Sequence, residues 1–249
     1  MGESLLSGRL KCVADMVSPV RTVYDVGCDH AHLAVYLVNS QKAEKAVASD
    51  VRPGPLRAAA ANIRAAGLED RISTVLSDGL HNIPKPDASS ALIIAGMGGP
   101  LILRILSDCP DTVSGFDEII ISPQSRIRDV RAHLPDLGWW ITDEDMVFDA
   151  GKYYTVIKLT KERQEYAAPF PDVTPEDYGE LRLRYGPVLI NRPAGILKDY
   201  LDWELSIYNE VVSGLDPKEH GDRLEEVKRD ISLNQILTGG LYGYDQNRR

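Results

Sequence analysis

Five short stretches of the chain hold the side chains best suited to chemistry. They are Asp25-Val26-Gly27-Cys28-Asp29-His30-Ala31, the single Asp50, Asp78-Gly79, Gly96-Met97-Gly98-Gly99 and Ser122-Pro123-Gln124. The first contains the spacing Gly27-x-Asp29-x-Ala31. A dinucleotide-binding turn needs glycines here, so that the backbone can approach a pyrophosphate at a helix N-terminus. An aspartate stands at the second of those positions, and a carboxylate beside a pyrophosphate repels it. The turn therefore suits a ligand with positive charge and no phosphate, which Asp25 would meet directly or through water.

Asp50 lies about 25 positions after Asp25. A carboxylate there accepts hydrogen bonds from both hydroxyls of a ribose, a preference that NAD and S-adenosylmethionine share. Asp78 with Gly79 suits an adenine amino group and a close backbone approach. S-adenosylmethionine, which has a sulfonium and an amino group, fits the acidic first turn better than NAD does. Local roles remain open: Asp25 as a cap of its own turn, Asp50 as a strand-end turn. His30 and His32 lack a third ligand in sequence, so no metal site is expected. Trp139-Trp140 and Tyr153-Tyr154 read as hairpin core rather than a base-stacking shelf.

The elements that must position these groups follow from hydrophobic periodicity. Residues 4 to 17 form an amphipathic helix ended by Pro19. Strands are expected at 22–26, 45–50, 72–76, 91–95 and 118–121, each leading into one of the five stretches. Helices fall at 31–38, from Pro53-Gly54-Pro55 to Ala66, and at 100–106 and 126–137. Residues 139–148 and 153–159 alternate as a hairpin around Asp149-Ala150-Gly151-Lys152. Continuous apolar strands alternating with helices predict a parallel sheet covered on both faces, with ligands outside the carboxyl ends of the strands. The reading is an α/β, Rossmann-like class I sheet over 1–160. Over 161–249 a polar linker precedes helices at 176–184, 198–212 and about 218–237, the last two joined as an antiparallel, coiled-coil-like hairpin. The tail from Gly239 is expected to fray.

The chain has 249 residues, 43% hydrophobic and 26% charged, which predicts a packed core and argues against disorder. No apolar run is long enough to span a bilayer, and residues 1–11 lack a signal peptide's apolar stretch. Three unevenly spaced cysteines argue against a disulfide framework and a zinc site, and a cytoplasmic location is expected. The net charge of −9 opposes a purely electrostatic nucleic-acid binder.

The runs LSGRL (6–10), DVGCDHAHL (25–33), PGP (53–55), SDGL (77–80), AGMGG (95–99) and SPQ (122–124) resemble the bacterial tRNA adenine-N1 methyltransferases of the TrmK family, over residues 4 to 160. The helical remainder is similar to that family's organisation. The resemblance implies S-adenosylmethionine as cofactor and adenine 22 of tRNA as target. It implies that Asp25, Gly27, Asp29 and His30 line the methionine end, that Asp50 and Val51 hold ribose and adenine, and that Asp78 and Gly79 contact adenine. Gly96, Met97 and Gly98 would form the substrate-facing loop.

The expected reaction is displacement at the methyl carbon by adenine N1, which is unprotonated at neutral pH and needs no strong base. Asp29 and the carbonyls of Gly96 and Met97 are candidates to stabilise the developing cation. Arg9, Lys11, Arg126, Arg128, Arg131, Arg182, Arg184 and Arg192 are candidate tRNA phosphate contacts. No membrane or metal partner is expected, and the chain is read as a monomer or weak dimer. The competing readings are a small-molecule methyltransferase, a nicotinamide-dependent oxidoreductase, and a non-catalytic module that binds a nucleoside cofactor.

Overall fold

The computed structural model describes residues 6–86, 89–170, 173–216 and 220–243. The chain divides into two compact units, Met1–Gln164 and Glu165–Arg249. In the first, helix α1 (Gly8–Met16) leads to β1 (Val20–Val26), α2 (His32–Asn39), β2 (Ala43–Asp50), α3 (Pro53–Ala65) and β3 (Ile72–Leu76). Then come β4 (Ser90–Ala95), α4 (Gly99–Asp108), α5 (Pro110–Val113), β5 (Glu118–Ser122), α6 (Ile127–His133), β6 (Trp140–Asp149) and β7 (Lys152–Thr160).

The seven strands form one sheet in the order β3-β2-β1-β4-β5-β7-β6. The first five run parallel, and β7 joins β5 antiparallel. Chain order reverses between β1 and β4, and at such a switch point the loops splay and leave a crevice at the carboxyl ends. Val23, Ile93 and Ile120 are buried toward one layer of helices, and Leu92, Ile94, Ile119 and Ile121 toward the other. This two-sided burial is why the central strands read as continuous apolar runs.

Several elements differ from expectation. The helix expected from residue 4 starts at Gly8, where the Ser7 side chain accepts from the Leu10 N–H; Ser4 and Leu5 lie outside the described residues. The helix expected over 126–137 is split. Arg126 is left-handed at its N-cap, and Pro135 begins a separate 3-10 turn. Among the described residues no helix is long and apolar enough to cross a membrane.

The second unit holds α7 (Pro175–Tyr185), α8 (Pro187–Asn191), α9 (Gly195–Gly214) and α10 (Gly221–Tyr242). Helices α9 and α10 run antiparallel, because Ala194 meets Tyr242 at one end while Leu201 and Glu204 meet Asn234 further along. Glu204 is buried yet satisfied: the Tyr185 hydroxyl at 2.6 Å, Asn234 Nδ2 at 3.0 Å and the Tyr200 hydroxyl at 3.1 Å all donate to it. The expected fraying does not begin at Gly239, since α10 continues to Tyr242. Gly240 is the flat seat for the Phe170 ring, whose atoms lie 2.7 Å from where a Cβ would stand. Residues 244–249 of the tail lie outside the described residues.

Candidate active site

A crevice of about 320 Å³ opens at the carboxyl ends of β1, β2, β3 and β4. Gly27 and Asp29 line it from the turn after β1, and Asp50 and Val51 from the end of β2. Asp78 and Gly79 border it after β3, and Gly96 and Met97 after β4. Backbone hydrogen bonds hold these turns in place. The N–H groups of Gly27 and Cys28 both donate to the Ser49 carbonyl, at 2.8 and 2.9 Å, and Ser77 N–H donates to Asp50 O at 3.0 Å. Gly96 N–H donates to Ser122 O at 3.2 Å and Gln124 N–H to Met97 O at 2.9 Å. The Ser122-Pro123-Gln124 stretch therefore braces the Gly96 loop. The Met97 carbonyl offered for charge stabilisation is already engaged in that brace.

Gly27 has φ +76°, and a Cβ there would stand 2.3 Å from Met97 Cε. The left-handed backbone favours glycine here, and the Met97 terminal methyl lies where a side chain would begin. Met97 thus closes one wall of the crevice against the β1 turn.

The electrostatics of this turn are anionic. Asp25 is 4% exposed at the end of β1, and burial pushes its pKa from 3.8 to about 7. The Cys28 thiol is pushed up to about 12, by burial first and then by the charges of Asp25, Asp50 and Asp29. Asp29 and Asp50, with Asp25 in its ionised fraction, therefore act on one point. Such a field repels pyrophosphate and attracts a cation, and the residues present fit a sulfonium and ammonium cofactor. Across the crevice Val51 and Leu101 expose apolar side chains, 58% and 39%, suited to the faces of a purine.

Three expected residues are not brought to the lining. Asp25 lies behind it, enclosed in β1. His30 is exposed, with its ring 3.6 Å from Asp29 and 5.8 Å from the ring of His32. Gly98 instead caps the N-terminus of α4. Sequence reasoning missed Arg52 and Arg104. Arg104 Nη2 donates to Asp78 at 2.9 Å, and Arg52 N–H donates to Asp50 Oδ1 at 2.8 Å. Arg104 falls on the helix that follows the Gly96 loop, so its helical position was the available signal. Among the described residues no group of three or more potential metal ligands occurs.

Residues 6–157 match a family model described as a methyltransferase domain. The tRNA (adenine(22)-N(1))-methyltransferase of Bacillus subtilis strain 168 is 30% identical over 237 residues, covering 94% of this chain and 97% of its own length. This chain belongs to the TrmK family. The crystal structure of the B. subtilis m1A22 tRNA methyltransferase TrmK superposes with a TM-score of 0.76 at 28% identity, covering 94% of this chain and 98% of that one. A Streptococcus pneumoniae protein solved in complex with S-adenosyl-L-methionine gives a TM-score of 0.80 at 27% identity, covering 94% and 99%. The fold resemblance to TrmK thus spans both units.

Among the cations named for phosphate contact, the TrmK-type fold here removes two. Arg131 is 4% exposed and pairs with the buried Glu144 at 2.9 Å, so it is a core ion pair. Arg184 is spent on Asp230 and on the Tyr208 hydroxyl. Arg126 and Arg128 remain at the surface beside Asp129. Trp139 is buried just before β6, whereas Phe148 is 54% exposed against Tyr153, with ring centroids 4.8 Å apart.

Proposed function

We infer that this chain is an S-adenosylmethionine-dependent methyltransferase that modifies N1 of adenine 22 in tRNA. The observation that carries the cofactor is that Asp29 and Asp50 line the crevice, with Asp25 buried behind the β1 turn. The target follows from kinship with TrmK over almost the whole chain. That anionic turn disfavours NAD, and near full-length similarity to a tRNA methyltransferase disfavours a small-molecule acceptor.

S-adenosylmethionine supplies a sulfonium-bound methyl group to the adenine N1 lone pair; the carbon–sulfur bond electrons return to sulfur, and the positive charge passes to the base. The chain's residues bind and orient. Asp50 would take the ribose hydroxyls, Asp25, set behind the lining, would act on the ammonium through water, and Asp78 with Gly79 would hold the cofactor adenine. Val51 covers the purine face. Gly96 and Met97 form the wall against which the target base is placed, and Asp29 with the Gly96 carbonyl stabilises the cation that develops. Holding N1 in line accounts for most of the acceleration, because the nucleophile needs no deprotonation. The target adenine leaves its stack to reach this wall.

Residues 1–160 carry the cofactor and 161–249 form the helical domain. The three cysteines are free, in keeping with a reduced cytoplasm, and the chain works as a monomer or weak dimer. Label transfer from S-adenosylmethionine to unmodified tRNA, with Asp50→Ala as control, tests the reading. N1-methyladenosine formed by the wild type and lost in the folded variant supports it. Cofactor binding without labelled nucleoside rejects the tRNA assignment.

A further inference from the structure

Among the described residues, Arg9 near the crevice has no carboxylate paired with its guanidinium. Other arginines of the same unit are matched: Arg131 to Glu144, Arg104 to Asp78, Arg126 and Arg128 to Asp129. Arg9, in the first turn of α1, is half-buried, and its buried Nη1 has no hydrogen-bond partner among the described residues. Asp149, the carboxylate at this end of α1, accepts from the Arg9 backbone N–H at 3.0 Å instead. The guanidinium carbon lies over the Tyr154 ring, 5.4 Å from its centroid. It also packs on the Gly96 turn. A Cβ on Gly96 would stand 3.1 Å from Arg9 Nη1 and 3.8 Å from both Arg9 Nη2 and Gln124 Nε2. N–H donors from two elements therefore converge beside the loop that borders the cofactor crevice.

A guanidinium part-removed from water without an acceptor is costly, and an anion completes it. Its planar fork matches phosphate oxygens. The target adenine is the wrong ligand, since it becomes a cation during the reaction and a guanidinium beside it would oppose the charge transfer. We propose that Arg9, oriented by Tyr154, binds a backbone phosphate of the tRNA strand next to the target adenosine and so positions that nucleotide at the Gly96–Met97 loop. This rests on the tRNA-modifying reading above. Arg9 is a positioning residue: it acts through the strand and leaves the reacting atoms alone.

The test compares wild type, Arg9→Ala and Arg9→Lys for tRNA kinetics, cofactor affinity, melting temperature and salt dependence. Arg9→Ala is expected to lower kcat/KM for tRNA by ~10- to 100-fold. Its log KM against log salt slope should fall by about one, with S-adenosylmethionine affinity unchanged. Arg9→Lys, which keeps charge and stem, restores part of the loss and stays readable if the alanine variant does not fold. Substrate stems with one methylphosphonate linkage at a time then locate the phosphate. One linkage near the target should slow the wild type and leave Arg9→Ala unaffected. Unchanged tRNA kinetics overturn the proposal. So does a lowered melting temperature with an unchanged salt slope, and so do linkages that slow both enzymes alike. Absence of any tRNA methylation by the wild type is instead a failure of the tRNA reading, and the proposal falls with it.

Discussion

Asp25 allows the cofactor site to be tested by pH. Its carboxyl is enclosed at the end of β1, and burial alone raises its pKa from 3.8 to about 7. Only the carboxylate form attracts the cofactor ammonium, so affinity follows the deprotonated fraction. With a pKa of about 7, the apparent Kd is roughly 1.1 times its limiting value at pH 8, about 2 times at pH 7 and about 11 times at pH 6. An ordinary aspartate would give a flat profile over that range. Asp25→Asn keeps the shape and removes the charge; it should bind ~10- to 100-fold more weakly at pH 8 and show no pH dependence.

The neighbours of Asp25 are separable. Cys28, at about 12, does not ionise between pH 6 and 8. A slope that originates elsewhere in the site would survive in the Asn variant. Calorimetric titration of S-adenosylmethionine at pH 6, 7 and 8 and constant ionic strength reads the effect. A flat wild-type profile, or an Asn variant with the same slope, refutes the reasoning. Stability moves the opposite way. Because the folded pKa is raised, the folded state takes up this proton first as pH falls. Ligand-free protein gains stability from Asp25 between pH 8 and 4, by at most roughly 4 kcal/mol. Asp25→Asn should accordingly raise its Tm at pH 8.

Asp50→Ala should weaken S-adenosylmethionine binding by ~10- to 100-fold, measured by titration, through loss of the charged acceptor for ribose. Gly27→Ala forces a methyl group onto Met97 Cε at a φ of +76° and should cost roughly 1–3 kcal/mol in chemical denaturation; an unchanged midpoint would show that the turn is free to relax. Arg131→Ala removes a buried ion-pair partner of Glu144 and should destabilise the fold by about 3–5 kcal/mol; a stable variant with weakened tRNA binding would return Arg131 to the surface. Arg126→Ala should raise the tRNA KM and reduce its salt slope by about one, with no change in Tm beyond a degree or two.

The strand ends were legible because burial on both faces writes continuous apolar runs and the loops after them must carry the ligand groups. Side-chain direction was not legible. Asp25 and Asp29 read as equivalents across one turn, yet the pleat of β1 encloses the first while the left-handed backbone at Asp29 exposes the second. Arg131 looked like one of three surface cations on a helix. Its partner Glu144 sits on the following strand, a pairing set by packing that no local pattern announces. Arg104 was read only as part of an apolar helix, and its reach to Asp78 depends on how α4 leaves the Gly96 loop. The short α8 fell in the unassigned stretch between the helices expected at 176–184 and 198–212, where Gly186 at φ +98° precedes Pro187, a residue well placed in a first helical turn.

The most direct measurement of the central claim is methyl transfer to two unmodified tRNAs that differ only at position 22, adenine in one and guanine in the other, with nucleoside analysis of the product. The account predicts N1-methyladenosine from the first and no labelled base from the second. Equal labelling of both, or none in either despite cofactor binding, would contradict it.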